Sequence, residues 1–350
     1  MGNDIRLELP DNLFVRHRLH QEGALHFRLD KKFRQVLIAP HPAGAEPQLP
    51  ERSPFALWET SALVSYYSQL IPTFAGGRLR AEQLTLLCER LAASARQSRD
   101  GVVAAILLCP WQNYVAHHAV NTALLACQLA DALKLCAEEH RVLMLAALAM
   151  NLGSIALHNE MARQEGPPST SQRQLIDIHP FVGSALLREA GLDDERLHRI
   201  VLMHHERHDG HGYPFRLKGD EIDPLAHLLH VLDVTTAKLM PRSYRPRIPA
   251  QRALAQLYTN ANEKFDPRYT TQLVKALGVY PSGSFVKLES GETAIVVAQT
   301  DHLHEPQVAT LRSRYDLIAS ATPGQRIAKS VTVKVDERHL SKLAPFWGLQ

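Results

Sequence analysis

The sequence predicts a mainly α protein: a helical bundle with a small β appendage at its C-terminal end and a short N-terminal segment. Three observations carry this. Apolar residues recur at helical spacing from Phe55 to about Leu277, as in Leu57, Leu63, Leu70, Leu84, Leu87 and Leu91. From Ser284 onward the period drops to two, through residues 285–289, a Ser290-Gly291 turn and residues 293–298. Ahead of the helical region, residues 39–54 are rich in proline, which removes backbone donors and blocks helix. The expected organisation is 1–38 as an N-terminal segment with one or two strands, 39–54 as a linker, 55–280 as the helical domain and 281–350 as a β-rich region.

Composition narrows the function classes. The chain has 350 residues, 45% of them hydrophobic, enough for a sizeable core. A formal charge of +3 gives no nucleic-acid footprint. Arg16, Arg18, Arg28, Lys31, Lys32 and Arg34 read as a solvated face, with a partner patch as the alternative. Cys88, Cys109, Cys127 and Cys136 fall in apolar stretches without C-x-x-C spacing, so reduced, buried thiols are expected. No apolar run reaches bilayer length: 102–109 stops at Pro110, and 142–157 is interrupted by Asn151 and Gly153. Together these predict a cytoplasmic protein with no membrane span.

Taken in order, the first chemistry-bearing element is a helix over roughly 114–135, with His118, Leu125, Leu129 and Leu133 along one stripe. A second runs from Glu138 to about Leu157 and contains Met150, Asn151, Gly153 and Ser154. Ser171 and Gln174 have capping-box spacing for a third, and His179-Pro180 follows, with Pro180 suited to the first turn of another helix. Asp193 or Asp194 can cap the next, on which Leu197, Ile200, Val201 and His204 share a face. His205 lies about 100° further round. A turn cluster then stops the helix, because Gly takes backbone angles other residues avoid and Pro cannot donate. Asp233 sits in an apolar helix over 225–239, where a carboxylate is costly unless paired or bound to a cation. Residues 308–311 and 331–335 look like further strands.

The stretch His204-His205-Glu206-Arg207-His208-Asp209-Gly210-His211-Gly212-Tyr213-Pro214 resembles the signature of the HD-GYP family, helical HD-superfamily hydrolases that cut cyclic di-GMP at a cluster of metal ions. Tyr114, His118 and Asn121, the lone His179 before Gly183, and Asp233 match further family positions. The match fails at the doublet: Met150 stands for the family's histidine, Asn151 for its metal-bridging aspartate and Ser154 for its lysine. A thioether and a neutral amide do not replace imidazole and carboxylate on such metals. Two dications a few ångströms apart need a bridging anion to offset their repulsion.

The resemblance therefore implies one metal position at His179, His204 and His205, with a weaker second set in His118 and Asp233. The cofactor expected is one divalent metal, Zn, Fe or Mn, or none. The function implied is that of a degenerate HD-GYP protein that binds cyclic di-GMP or a signalling partner, such as a GGDEF-type protein, with little or no hydrolysis. Arg207, Asp209, Gly210, Gly212, Tyr213, Pro214 and Arg242 would form the ligand or partner loop. A one-metal phosphodiesterase and a purely structural metal are the alternatives. The oligomeric state, a homodimer included, stays open.

Overall fold

The computed structural model describes residues 28–29, 46–75, 81–110, 112–240, 248–259, 265–311, 317–322 and 325–349. The expected N-terminal segment apart from residues 28–29, with its basic residues apart from Arg28, the first part of the linker (39–45), and Arg242 lie outside the described residues.

The helical body opens with α1 (Ala56–Ala75), α2 (Ala81–Gln97) and α3 (Arg99–Leu108). At its centre is α4 (Tyr114–Leu133), which packs against α1, α2, α3 and most of the helices that follow. Every residue of α4 from Tyr114 to Ala130 is buried, the mark of a helix surrounded on all sides. Its start is fixed by Asn113, whose side chain accepts the Ala116 N–H, and its end by Lys134 in the left-handed region at φ 55°.

Cys136 then caps α5 (Ala137–Ala149), with Glu139 closing a capping box. That role leaves Cys136 exposed, while the other three cysteines are buried as expected. The helix expected over 138–157 is broken. A 3₁₀ turn over Leu152–Ser154 separates α5 from α6 (Ile155–Arg163). The whole stretch Ala137–Arg163 is long and apolar enough to cross a membrane, yet 83% of its most apolar window is buried within the fold, as in a core helix.

Helix α7 (Thr170–Glu189) starts two residues earlier than the capping-box reading placed it, with Ser169 and Gln172 forming the box. It also runs straight through Pro180, which was expected to open a new helix. Buried neighbours on both sides of the proline hold the helix together, an instance of packing overriding a breaker. Asp194 caps α8 (Glu195–Met203), accepting from the Arg196 and Leu197 N–H groups. The sequence α9 (Pro224–Leu239), α10 (Ala250–Thr259) and α11 (Pro267–Leu277) completes the body.

The C-terminal region is an antiparallel five-stranded sheet in the order β4-β3-β2-β1-β5. Its strands are β1 (Phe285–Leu288), β2 (Thr293–Ala298), β3 (Gln307–Leu311), β4 (Leu317–Thr322) and β5 (Ile327–Val331). The strand expected over 331–335 is thus displaced. β5 ends where that reading began, and Lys329 and Ser330 of its length are paired to β1 rather than apolar. Two further elements, β4 and the helix α12 (Glu337–Leu343), give no apolar period in the sequence. Phe285, Ile295 and Ala309 share a core with Ala104, Ala105 and Trp347, so the sheet rests on α3 and the chain's end. Trp347 Nε1 donates to the Val297 carbonyl at 2.8 Å and locks that contact.

Candidate metal centre and the adjoining loop

The three histidines expected to share a metal come together. One ligand nitrogen from each of His179, His204 and His205 lies within 4.8 Å of the others. His179 and His204 are fully buried, and their Nε2 atoms are 3.2 Å apart.

Local chain chemistry sets the tautomers. Pro180 has no N–H, so the carbonyl four residues earlier, Ile176, lacks its helical donor. The Nδ1–H of His179 takes that place at 2.5 Å. At the end of α8 the last carbonyls have no helical partner, and the Nδ1–H of His204 donates to Val201 at 2.7 Å. Carbonyls only accept, so both Nδ1 atoms carry their protons. Burial pushes both rings down to about 3, with repulsion from His158 adding to it at His179 and from His179 at His204, so neither is an imidazolium at neutral pH. Two unprotonated Nε2 lone pairs therefore face each other across 3.2 Å. A cation between them removes the repulsion. The buried Nε2 of His205 has no hydrogen-bond partner either. The donor set fits a borderline divalent metal.

Gly153 lets α7 come this close. A Cβ on it would stand 2.0 Å from the His179 carbonyl. Around it, Met150 is fully buried in the main hydrophobic core and Asn151 is 8% exposed. Ser154 is buried, and its hydroxyl lies 2.6 Å from Nδ1 of His158. The His158 ring is 5.5 Å from that of His179, edge to face. Sequence reading passed over His158, although it is one helical turn after Ser154 and so shares its face.

The second expected set also meets. His118 Nε2, on α4, is 3.4 Å from Asp233 Oδ1, on α9. The Tyr114 ring lies 5.6 Å from that of His118. A residue not foreseen joins them: His230 groups its ligand atom with those of His205 and Asp233 within 4.8 Å.

The loop after α8 is tied down by a residue the sequence reading gave no role. Glu206 is fully buried, and its carboxylate accepts the N–H groups of Phe215 at 2.6 Å, Arg216 at 3.2 Å and Leu217 at 3.0 Å. Burial raises its carboxyl to about 7, against the pull of those three donors. Gly212 passes so near that a Cβ would meet the Arg207 nitrogen at 2.4 Å and Glu206 Cα at 2.5 Å. Gly210 takes φ 77°, which its missing side chain permits. Arg207 pairs with Asp209 at 2.7 Å, and Tyr213 stacks on His205 with centroids 4.6 Å apart. Thus the loop's Tyr213 covers one imidazole of the three-histidine group, and Pro214 follows it through a cis peptide bond. The three-histidine group and a shaped loop share one wall.

The HD domain family model matches residues 84–269, over half of the chain. The chain belongs to the HD domain family, and residues 204–214 carry the loop that resembles the HD-GYP signature. It is 30% identical over 213 residues to the cyclic di-GMP phosphodiesterase PA4108 of Pseudomonas aeruginosa, covering 61% of this chain and 51% of that one. It is 33% identical over 150 residues to the cyclic di-GMP phosphodiesterase response regulator RpfG of Xanthomonas campestris, covering 42% and 39%. The chain thus spans about half or less of these relatives' length. Among solved structures it superposes on Bd1817, an HDG"Y"P protein from Bdellovibrio bacteriovorus, with a TM-score of 0.51. That match has 18% identity and covers 63% of this chain and 72% of that one. At that identity the likeness speaks for the fold.

Proposed function

We propose that the chain is a metal-dependent receptor for a cyclic dinucleotide of the cyclic di-GMP class and hydrolyses it little or not at all. The observation that carries this is the convergence of three imidazoles beside an intact Gly-Tyr-Pro loop, while neutral Asn151 and core-packed Met150 stand at the doublet. Relatives described as cyclic di-GMP phosphodiesterases support the ligand class.

A metal held by His179, His204 and His205 would supply positive charge for a phosphodiester and a site for water. The chain's own groups do the rest. The Glu206 carboxylate sets the loop, Tyr213 stacks on His205 and would fix the orientation of that imidazole, and Arg207 and Asp209 hold the loop's outer turn. Ser154, in hydrogen-bond reach of His158, stands where the family resemblance calls for a lysine, so charge building on a leaving oxygen would not meet that lysine's ammonium there. A signalling protein docked on the same loop is the partner-side form of this reading.

The retained three-imidazole set favours a second reading, a slow one-metal phosphodiesterase. One experiment separates them: the protein is loaded with Mn²⁺ or Fe²⁺, titrated with cyclic di-GMP, and its products resolved by chromatography, with His204→Ala alongside. Nucleotide binding without linear product is expected, weakened at least about tenfold in His204→Ala. Linear product from the native chain alone would overturn the receptor reading.

A further inference from the structure

We infer that His230 supplies the imidazole that Met150 cannot, building with Asp233 a second metal position, in reach of His205 and with His118 against Asp233, beside the three-histidine one. The inference rests on the metal-receptor reading and extends its ligand set to a residue outside the family's doublet.

Three observations support it. His230 and Asp233 are three residues apart on α9, so they project from one face. Their ligand atoms cluster with that of His205 within 4.8 Å, and Asp233 Oδ1 is 3.4 Å from His118 Nε2. His205 therefore stands in both ligand groups, its Nε2 buried without a hydrogen-bond partner, and its one lone pair can serve either position but not both at once. Lastly, α9 carries a second histidine that the geometry sets aside. His227 Nε2 accepts the Asp266 N–H at 3.0 Å, and its ring packs on His208 at 4.2 Å. It is occupied in holding α11 and the loop.

The donor chemistry is that of two imidazoles and one carboxylate, which suits Fe²⁺, Mn²⁺ or Zn²⁺. Asp233 would also bring a negative charge close to two adjacent cations, part of what Asn151 no longer provides. His118 and His230 sit on different helices, α4 and α9, already packed together. The position thus forms without loop closure.

The test counts metal. The full chain is stripped with chelator and reloaded with Mn²⁺, and bound metal per chain is measured by mass spectrometry. Native protein, His230→Gln, His230→Ala and His204→Ala are compared, with thermal melts of each apo form to confirm folding. Native protein should hold one equivalent more than either His230 variant, and the manganese resonance spectrum should lose any spin coupling with that equivalent. Equal loading of native and His230 variants overturns the inference. If that loading is one metal lost in His204→Ala, the three-histidine reading survives alone. A single metal lost in the His230 variants but kept in His204→Ala upholds the second position and refutes the first. No metal in the native chain refutes both.

Discussion

His179 and Pro180 act as one unit: the proline has no N–H for the Ile176 carbonyl, and the Nδ1–H of His179 occupies that carbonyl at 2.5 Å. A residue usually read as a helix breaker here selects the tautomer of an imidazole in the three-histidine group. Restoring the competing N–H in Pro180→Ala should loosen that choice. Metal affinity is expected to fall about tenfold, in line with other outer partners of ligating histidines. The apo protein should meanwhile gain about 1–3 kcal/mol, because an interior helix proline is removed. Opposite signs in a metal titration and an apo melt would set this apart from a general packing defect.

Gly153→Ala tests the approach of α7 to the 3₁₀ turn. Its Cβ would meet backbone, the His179 carbonyl at 2.0 Å and the Gly183 nitrogen at 2.7 Å, so no side-chain rotation relieves it. A loss of roughly 1–3 kcal/mol is expected. Because the displaced element carries His179, metal affinity should fall as well, which chelator competition would measure.

Glu206 ties the loop without touching the metal group. Glu206→Gln keeps one acceptor oxygen and loses the other, stranding at least one of three N–H groups. The expected cost is about 1–3 kcal/mol. Amide exchange at Phe215, Arg216 and Leu217 should quicken, and nucleotide binding should weaken while bound metal stays constant. Loss of metal would instead show that the loop and pocket are one cooperative unit.

The pH dependence follows from groups of opposite sign. His179, His204 and His227 are held neutral in the fold, burial pushing each down to about 3. Between about 3 and the ordinary 6.5 the unfolded chain binds more protons, so their contribution to stability grows as pH rises and is complete above 6.5. Glu206 works against them. Its carboxyl is raised to about 7, so from about 4.5 to 7 the folded state holds the extra proton and stability falls with rising pH. Three groups outweigh one, and the apo melting temperature should climb from pH 4 to pH 6.5. In Glu206→Gln that climb should steepen, the opposing group being gone. A flat profile would count against neutral buried imidazoles.

Much of this was legible in the sequence, and the misses have physical causes. His118, His179, His204, His205 and Asp233 could be picked out because each breaks an apolar period or matches a family motif, and the fold brings them into the two expected groups. His230 could not, because a histidine inside an apolar run looks the same whether it packs or ligates. Only the crossing of α9 with α4 distinguishes it from His227 three residues earlier. Glu206 was hidden for a related reason: its partners are backbone N–H groups 9–11 residues on, which leave no side-chain pattern. Pro180 misled because local propensity favours a helix start there, while buried contacts on both flanks decide otherwise.

Asn151→Asp asks whether the missing carboxylate alone separates receptor from enzyme. The position is 8% exposed, so an added anion is costly to the apo fold unless a cation meets it. Apo stability should therefore fall by about 1–3 kcal/mol, and metal should restore more than it does in the native chain. Manganese affinity should rise at least about tenfold, each 1.4 kcal/mol of new charge pairing being worth that factor. Met150 remains in the core, however, and Ser154 still stands where a lysine would bring positive charge. Turnover of cyclic di-GMP should thus stay low in Asn151→Asp despite tighter metal. It should appear more readily when Ser154→Lys is added. Brisk hydrolysis by Asn151→Asp alone would mean that the bridging carboxylate was the one missing part, and that His230 already completes the metal site.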